Sequence, residues 1–280
     1  MKNFIIRAIT GLTFAALLIG CILYNPVSLI LLFSIVAGLT IWEFGTIVNN
    51  HAGASMNRLI SAVAGFYLVF AVGGYQLGMI STREFMPYLL TLIYLLVSEL
   101  YRQEPHPLKN WAYAFASQIY IALPFALLSV LGLHYDSFAN EMRYDFIYPL
   151  SVFIFLWMSD TGAYLVGSLL SRYFPAKLFP RISPKKSWVG SIGGCILCLV
   201  AAWGIYAFQP EYLTIWQWMG LAFTVCVFGT WGDLVESLLK RQVGIKDSGT
   251  ILPGHGGLLD RFDSALLAIP AAVVYLYMIV

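Results

Sequence analysis

The sequence predicts an all-α polytopic integral membrane protein of about nine transmembrane helices with a cytoplasmic N-terminus. Three observations predict it. Apolar residues fill 60% and charged residues only 11% of the 280 positions, whereas a soluble domain is roughly a quarter charged. The apolar residues gather into runs of the ~20 residues needed to cross a bilayer. With nine such runs, every Lys and Arg except Arg83 and Arg143 falls on the side of the N-terminus, as the positive-inside rule requires of the cytoplasmic face.

The predicted spans are 8–24, 27–48, 58–80, 85–101, 111–133, 147–168, 189–208, 215–238 and 262–280. The first is continuous with the rest and has no small-residue cleavage site, so it reads as a retained helix and not as a removable signal peptide. No repeat, low-complexity tract or long linker divides the chain, and a single membrane domain over 1–280 is expected. Residues 1–133 read as mostly structural helices and 147–280 as the part that carries chemistry. The 16% aromatic content suits interfacial belts and packing. A net charge of +2 gives no argument for a nucleic-acid partner.

The first half offers few reactive groups. Glu43 and Glu99 lie near membrane depth, and intramembrane acids are functional candidates by default. Both nevertheless read as structural, bonded between helices or placed at the interface. His51, His106 and His134 occupy separate loops with no ligand spacing. Cys21, Cys195, Cys198 and Cys226 all lie in apolar runs. Cys195 and Cys198 form a CxxC with no second pair to complete a zinc site, so they read as small buried hydrophobes.

Chemistry concentrates in the second half. The stretch Gly232–Asp263 reads GDLVESLLKRQVGIKDSGTILPGHGGLLDRFD. It combines Asp233, Glu236, Asp247, Asp260 and Asp263 with Lys240, Arg241, Lys246 and Arg261, around the run Gly254–His255–Gly256–Gly257. Carboxylates are the hard oxygen ligands that magnesium prefers. Lys and Arg bind phosphate oxygens, and glycines let backbone N–H groups approach them. Metal-assisted chemistry on a phosphate ester follows. The bland alternative is a polar loop whose charges only pair with one another. Upstream, Ser159, Asp160 and Thr161 lie near the end of the sixth span. Ser183–Pro184–Lys185–Lys186–Ser187–Trp188 leads into the seventh, putting a lysine pair and hydroxyls at a helix start. The loops 169–188 and 239–261 are separated by two spans and so are expected on one face.

Three motifs, Ser159–Tyr164, Ser183–Trp188 and the string from Ser237 through Lys240–Arg241, Lys246–Asp247, Pro253–Gly257 and Asp260–Asp263, resemble the phosphatidate cytidylyltransferase (CDP-diacylglycerol synthase) family in residue type, order and spacing. The resemblance covers roughly 155–264. Two positions depart from the family: Val189 stands where Glu is usual, and Gly167–Ser168 where Gly-Arg is usual. The resemblance implies transfer of a cytidylyl group from CTP to phosphatidic acid, with release of pyrophosphate. It implies Mg²⁺ as cofactor, with a second cation left open, and CTP, phosphatidic acid and membrane lipids as partners. It also implies residence in a bacterial cytoplasmic (inner) membrane; a homodimer is left open. On that reading Asp233, Asp260 and Asp263 are metal ligands, and with Lys240 they form the catalytic set. Asp160 and Asp247 complete or orient the metal shell. Lys185, Lys186, Arg241 and Arg261 bind phosphate. Ser183, Ser237, Gly256 and Gly257 shape the phosphate pocket, and His255 binds substrate instead of moving a proton. The alternatives are a related CTP-dependent lipid-phosphate cytidylyltransferase or lipid kinase, and, further off, an ion-coupled transporter.

Overall fold

The computed structural model describes residues 2–136, 140–254 and 256–279, with side chains from residue 9 onward. Ten α-helices and two small hairpins follow one another along the chain: α1 Lys2–Tyr24, α2 Pro26–His51, α3 Arg58–Gln76, α4 Met86–Tyr101, α5 Pro107–Ser117, α6 Leu123–Gly132, β1 Leu133–Asp136, β2 Glu141–Tyr144, α7 Ile147–Leu170, β3 Lys177–Phe179, β4 Ser183–Ser187, α8 Trp188–Phe208, α9 Ile215–Gln242 and α10 Leu259–Ile279. A π-helical turn, Gln118–Ala122, joins α5 to α6. Among the described residues eight helical segments are long and apolar enough to cross a membrane, counting α5–α6 as one, and the apolar part of α1, Ile9–Tyr24, is shorter. The protein is an all-α polytopic membrane protein.

Local chemistry explains the helix boundaries. Asn25 caps α2 in a capping box, its side chain accepting from Ser28 N at 2.8 Å, with Pro26 at the first helical position. Asn57 caps α3 by accepting from Ile60 N. Lys240 and Arg241 close α9, where cations favour the negative end of the helix dipole. The loop expected over 169–188 contains the hairpin β3–β4, antiparallel with Lys177 opposite Ser187. A second hairpin, β1–β2, pairs Leu133 with Tyr144.

The chain divides into two compact units, one of Met1–Ile147 with Gln242–Phe262 and one of Tyr148–Arg241 with Asp263–Val280. In the first unit the core is aromatic: Phe33, Phe125 and Phe262 meet with ring centroids 5.2–6.0 Å apart. Small residues bring its helices close, with Gly38 of α2 against the Ala62 carbonyl of α3. In the second unit the fully buried Trp218 stacks on Tyr148 and meets Phe155 edge-on. There α7 and α8 nearly touch at glycines: a Cβ on Gly162 would lie 2.6 Å from the Gly193 carbonyl.

Candidate active site

In the second unit α9 supplies Asp233 and Glu236, three residues apart and therefore on one face of the helix. Ser237, one turn beyond Asp233, donates to its Oδ1 at 3.1 Å. Gly232 allows α10 to approach: a Cβ there would sit 2.5 Å from the Asp263 carbonyl. That contact delivers Asp263. One carboxylate oxygen from each of Asp233, Glu236 and Asp263 lies within 4.8 Å of the others. Three carboxylates so close repel one another unless cations stand among them. Two are ammonium groups: Lys186 Nζ lies 2.5 Å from Asp233 Oδ2, and Lys240 Nζ lies 2.6 Å from Glu236 Oε2. The donor set of three hard oxygens is also one that fits Mg²⁺.

Lys186 reaches Asp233 because Ser187 begins α8. The Ser187 hydroxyl accepts from Gly190 N at 3.2 Å and contacts the Ser171 hydroxyl at 3.1 Å, which anchors the end of β4. The lysine pair therefore stands just before the positive end of a helix. A cavity of about 350 Å³ opens beside it, lined by Ser159, Asp160, Lys185, Lys186, Thr230 and Ser264 among others. Basic, acidic and hydroxyl groups around one cavity can hold a phosphorylated ligand through charge-assisted hydrogen bonds. Ser183 lies in β4 and is half-buried, Arg241 is exposed at the end of α9, and Val189 is half-buried in the first turn of α8.

The rest of the 239–261 segment belongs to the first unit. Gly254 and Gly256 take positive φ, 77° and 85°, in a turn closed by a Leu252 N–Gly256 O hydrogen bond of 3.0 Å. Asp260, expected among the metal ligands, binds backbone there through one oxygen: its Oδ2 accepts from Ser248 N at 2.9 Å and Gly257 N at 3.3 Å. Asp247 and Arg261 are exposed, Gly256 is half-buried and Gly257 is buried. His255 lies outside the described residues.

Sequence reasoning left Glu236 out of the site and found no partner for Glu43. Glu236 was within reach, since its spacing from Asp233 already puts both on one helical face. Glu43, whose buried carboxylate meets the segment 248–259, gives no local signal, because its partners lie more than 200 residues away. The structural expectation for Glu99 agrees with its surroundings: it is buried, with Arg102 and Asn110 each at 2.7 Å. Cys198 is buried and donates to the Phe155 carbonyl.

Fold and site together define a membrane-embedded protein whose second unit sets a carboxylate cluster beside a lysine-lined cavity. The chain belongs to the Cytidylyltransferase family, whose pattern it matches over residues 5–279. It is similar to proteins named phosphatidate cytidylyltransferase in Staphylococcus aureus (strain COL), at 41% identity over 148 residues, and in Staphylococcus haemolyticus (strain JCSC1435), at 43% over the same length. Each match covers 52% of this chain and 56% of the relative. The chain thus spans a little over half the length of the curated relatives it matches.

Proposed function

We propose that this protein transfers a cytidylyl group from CTP to phosphatidic acid in a bacterial cytoplasmic membrane, giving CDP-diacylglycerol and pyrophosphate. The observation that carries the reading is the carboxylate cluster Asp233–Glu236–Asp263, with Lys186 and Lys240 on it and a hydroxyl-rich cavity alongside, in a chain of the Cytidylyltransferase family.

A phosphate oxygen of the lipid forms a bond to the α-phosphorus of CTP as the bond from that phosphorus to the bridging oxygen breaks, and pyrophosphate leaves with the electron pair. The lipid phosphate is already an anion, so no strong base is required. The obstacle is mutual repulsion between two polyanions. Lys185 and Lys186 hold phosphate oxygens in line and offset that repulsion, helped by the N-terminus of α8. Lys240, half-buried against Glu236, fixes the orientation of that carboxylate. Asp233, Glu236 and Asp263 would hold Mg²⁺, with Asp160 at the cavity wall orienting the substrate side. When bound, the ion supplies neutralisation of the charge that builds on the phosphoryl oxygens. The hydroxyls of Ser159, Thr230 and Ser264 donate to substrate oxygens inside the cavity. Asp247, His255, Gly256, Gly257 and Arg261 are assigned to substrate contact by their match to the family motif, and Asp260 to shaping the turn that bears them.

The test is pyrophosphate release from CTP by the purified protein with phosphatidic acid in mixed micelles. Release that needs both CTP and lipid, and stops with EDTA, is expected. Equal release with a long-chain alcohol in place of the lipid phosphate would contradict the proposal.

A further inference from the structure

Glu43 lies in the middle of α2, a helix with no other acid or base between Pro26 and the terminal His51. Its side chain is nearly inaccessible, with the residue 4% exposed. A carboxylate buried in an apolar helix is costly unless hydrogen-bond donors surround it. Here they come from one place, the segment ahead of and at the start of α10. The Ser248 hydroxyl donates to Glu43 Oε1. Leu259 N donates to the same oxygen at 3.2 Å, and Leu258 N donates to Oε2 at 2.9 Å. Those two amides lie at the N-terminus of α10, where N–H groups have no intrahelical acceptor and a negative charge is favoured. Glu43 thus acts as the N-terminal cap of a helix more than 200 residues further along the chain.

The contact reaches into the segment itself. A Cβ on Gly249 would fall 2.9 Å from the Glu43 carboxyl carbon, and one on Gly257 would overlap both the Glu43 carboxylate and the Ser248 hydroxyl. Ser248 relays the contact: its hydroxyl accepts from Asp260 N at 3.3 Å while its own N–H donates to the Asp260 carboxylate. We infer that Glu43 is a positioning residue for the segment 246–260, and that Gly249 and Gly257 lack side chains to make room for its carboxylate. This deepens the proposed function, because that segment bears Asp247, Gly256 and Gly257.

The experiment compares the full-length chain with Glu43→Ala, Glu43→Gln and Ser248→Ala in detergent, by two readouts. Limited trypsin digestion measures cutting after Lys246, against cutting after Lys177 and Arg181 in the β3–β4 hairpin as internal reference. Turnover is followed by pyrophosphate release. Glu43→Ala is expected to raise the Lys246-to-hairpin cutting ratio about tenfold through local opening, and to lower turnover about as much. Glu43→Gln, which keeps a carbonyl acceptor for Leu258 N, is expected to recover part of both effects. Ser248→Ala shifts both in the same direction by less. An unchanged ratio in Glu43→Ala overturns the inference, as does uniform acceleration of all cuts in both Glu43 variants, which makes Glu43 a general core residue. Absence of turnover in the wild type overturns the proposed function instead, and the cutting ratio still decides the role of Glu43.

Discussion

The two units treat buried acid in opposite ways. In the first unit each acid at membrane depth is alone and surrounded by donors. Glu43 takes two backbone amides and a hydroxyl, and Glu99 takes Arg102 and the Asn110 amide. In the second unit Asp233, Glu236 and Asp263 crowd within reach of one another and face lysines. A lone acid ringed by donors costs little to keep and fastens two pieces of chain together. Gathered acids repel, and a fold that needed only fastening would not gather them. The first arrangement holds backbone, while the second is the one we propose to hold a cation and the phosphates that accompany it.

That contrast breaks most readily at the cluster. Asp233→Asn and Asp263→Asn keep the size of the side chain but remove a ligand charge. Turnover should fall by about 100-fold or more for each, while thermal stability without Mg²⁺ stays level or rises as repulsion is relieved. Pyrophosphate release and a thermal melt on the same preparation check this. Substantial activity in either variant would erase the distinction between the units.

Lys186→Ala comes next. It removes the ammonium on Asp233, and a charged hydrogen bond of this kind is worth about 1–3 kcal/mol. An increase of about tenfold or more in KM for CTP or lipid is expected at normal expression. Lys185 is exposed and lines the same cavity, so Lys185→Ala should act in the same direction by less. Initial-rate kinetics with each substrate varied in turn separate the two lysines.

Glu99→Ala sharpens the comparison from the other side. It strands the buried Asn110 side-chain amide and takes the closer of two carboxylates from Arg102 in the first unit, so stability should drop by about 1–3 kcal/mol, with turnover per folded molecule unchanged. A loss of turnover without loss of stability would make Glu99 part of the chemistry. Cys195→Ala should have the smallest effect, with stability and turnover both near wild type, because no metal-ligand set surrounds the thiol among the described residues.

Much of this was legible in the sequence for a physical reason. Membrane spans announce themselves by length and apolarity, and the eight qualifying helices fall on eight of the nine predicted runs. Asp233, Asp263, Lys186 and Lys240 could be picked out because acids and lysines are rare in so apolar a chain. Three things were hidden. The hairpin β3–β4 contains Pro180 and Pro184 and shows no clean alternation, so it read as loop. The division into two units turns on short stretches, 242–262 above all, that belong with distant helices. Glu43 looked like a lone structural acid, and so it is, but what it fastens lies beyond any local pattern. Asp260 carries a role that its spacing from Asp263 does not announce: its Oδ2 accepts from the backbone of Ser248 and Gly257.

The most direct test of the cation-holding role proposed for the second unit is Mn²⁺ binding followed by electron paramagnetic resonance, using Mn²⁺ as a probe for Mg²⁺. Purified wild type is titrated in the presence of CTP, alongside Asp233→Asn, Asp263→Asn and Glu99→Gln. Bound Mn²⁺ is expected in wild type and Glu99→Gln and strongly reduced in both aspartate variants, with added Mg²⁺ displacing the signal. Equal binding in wild type and the Asp233 and Asp263 variants would contradict it.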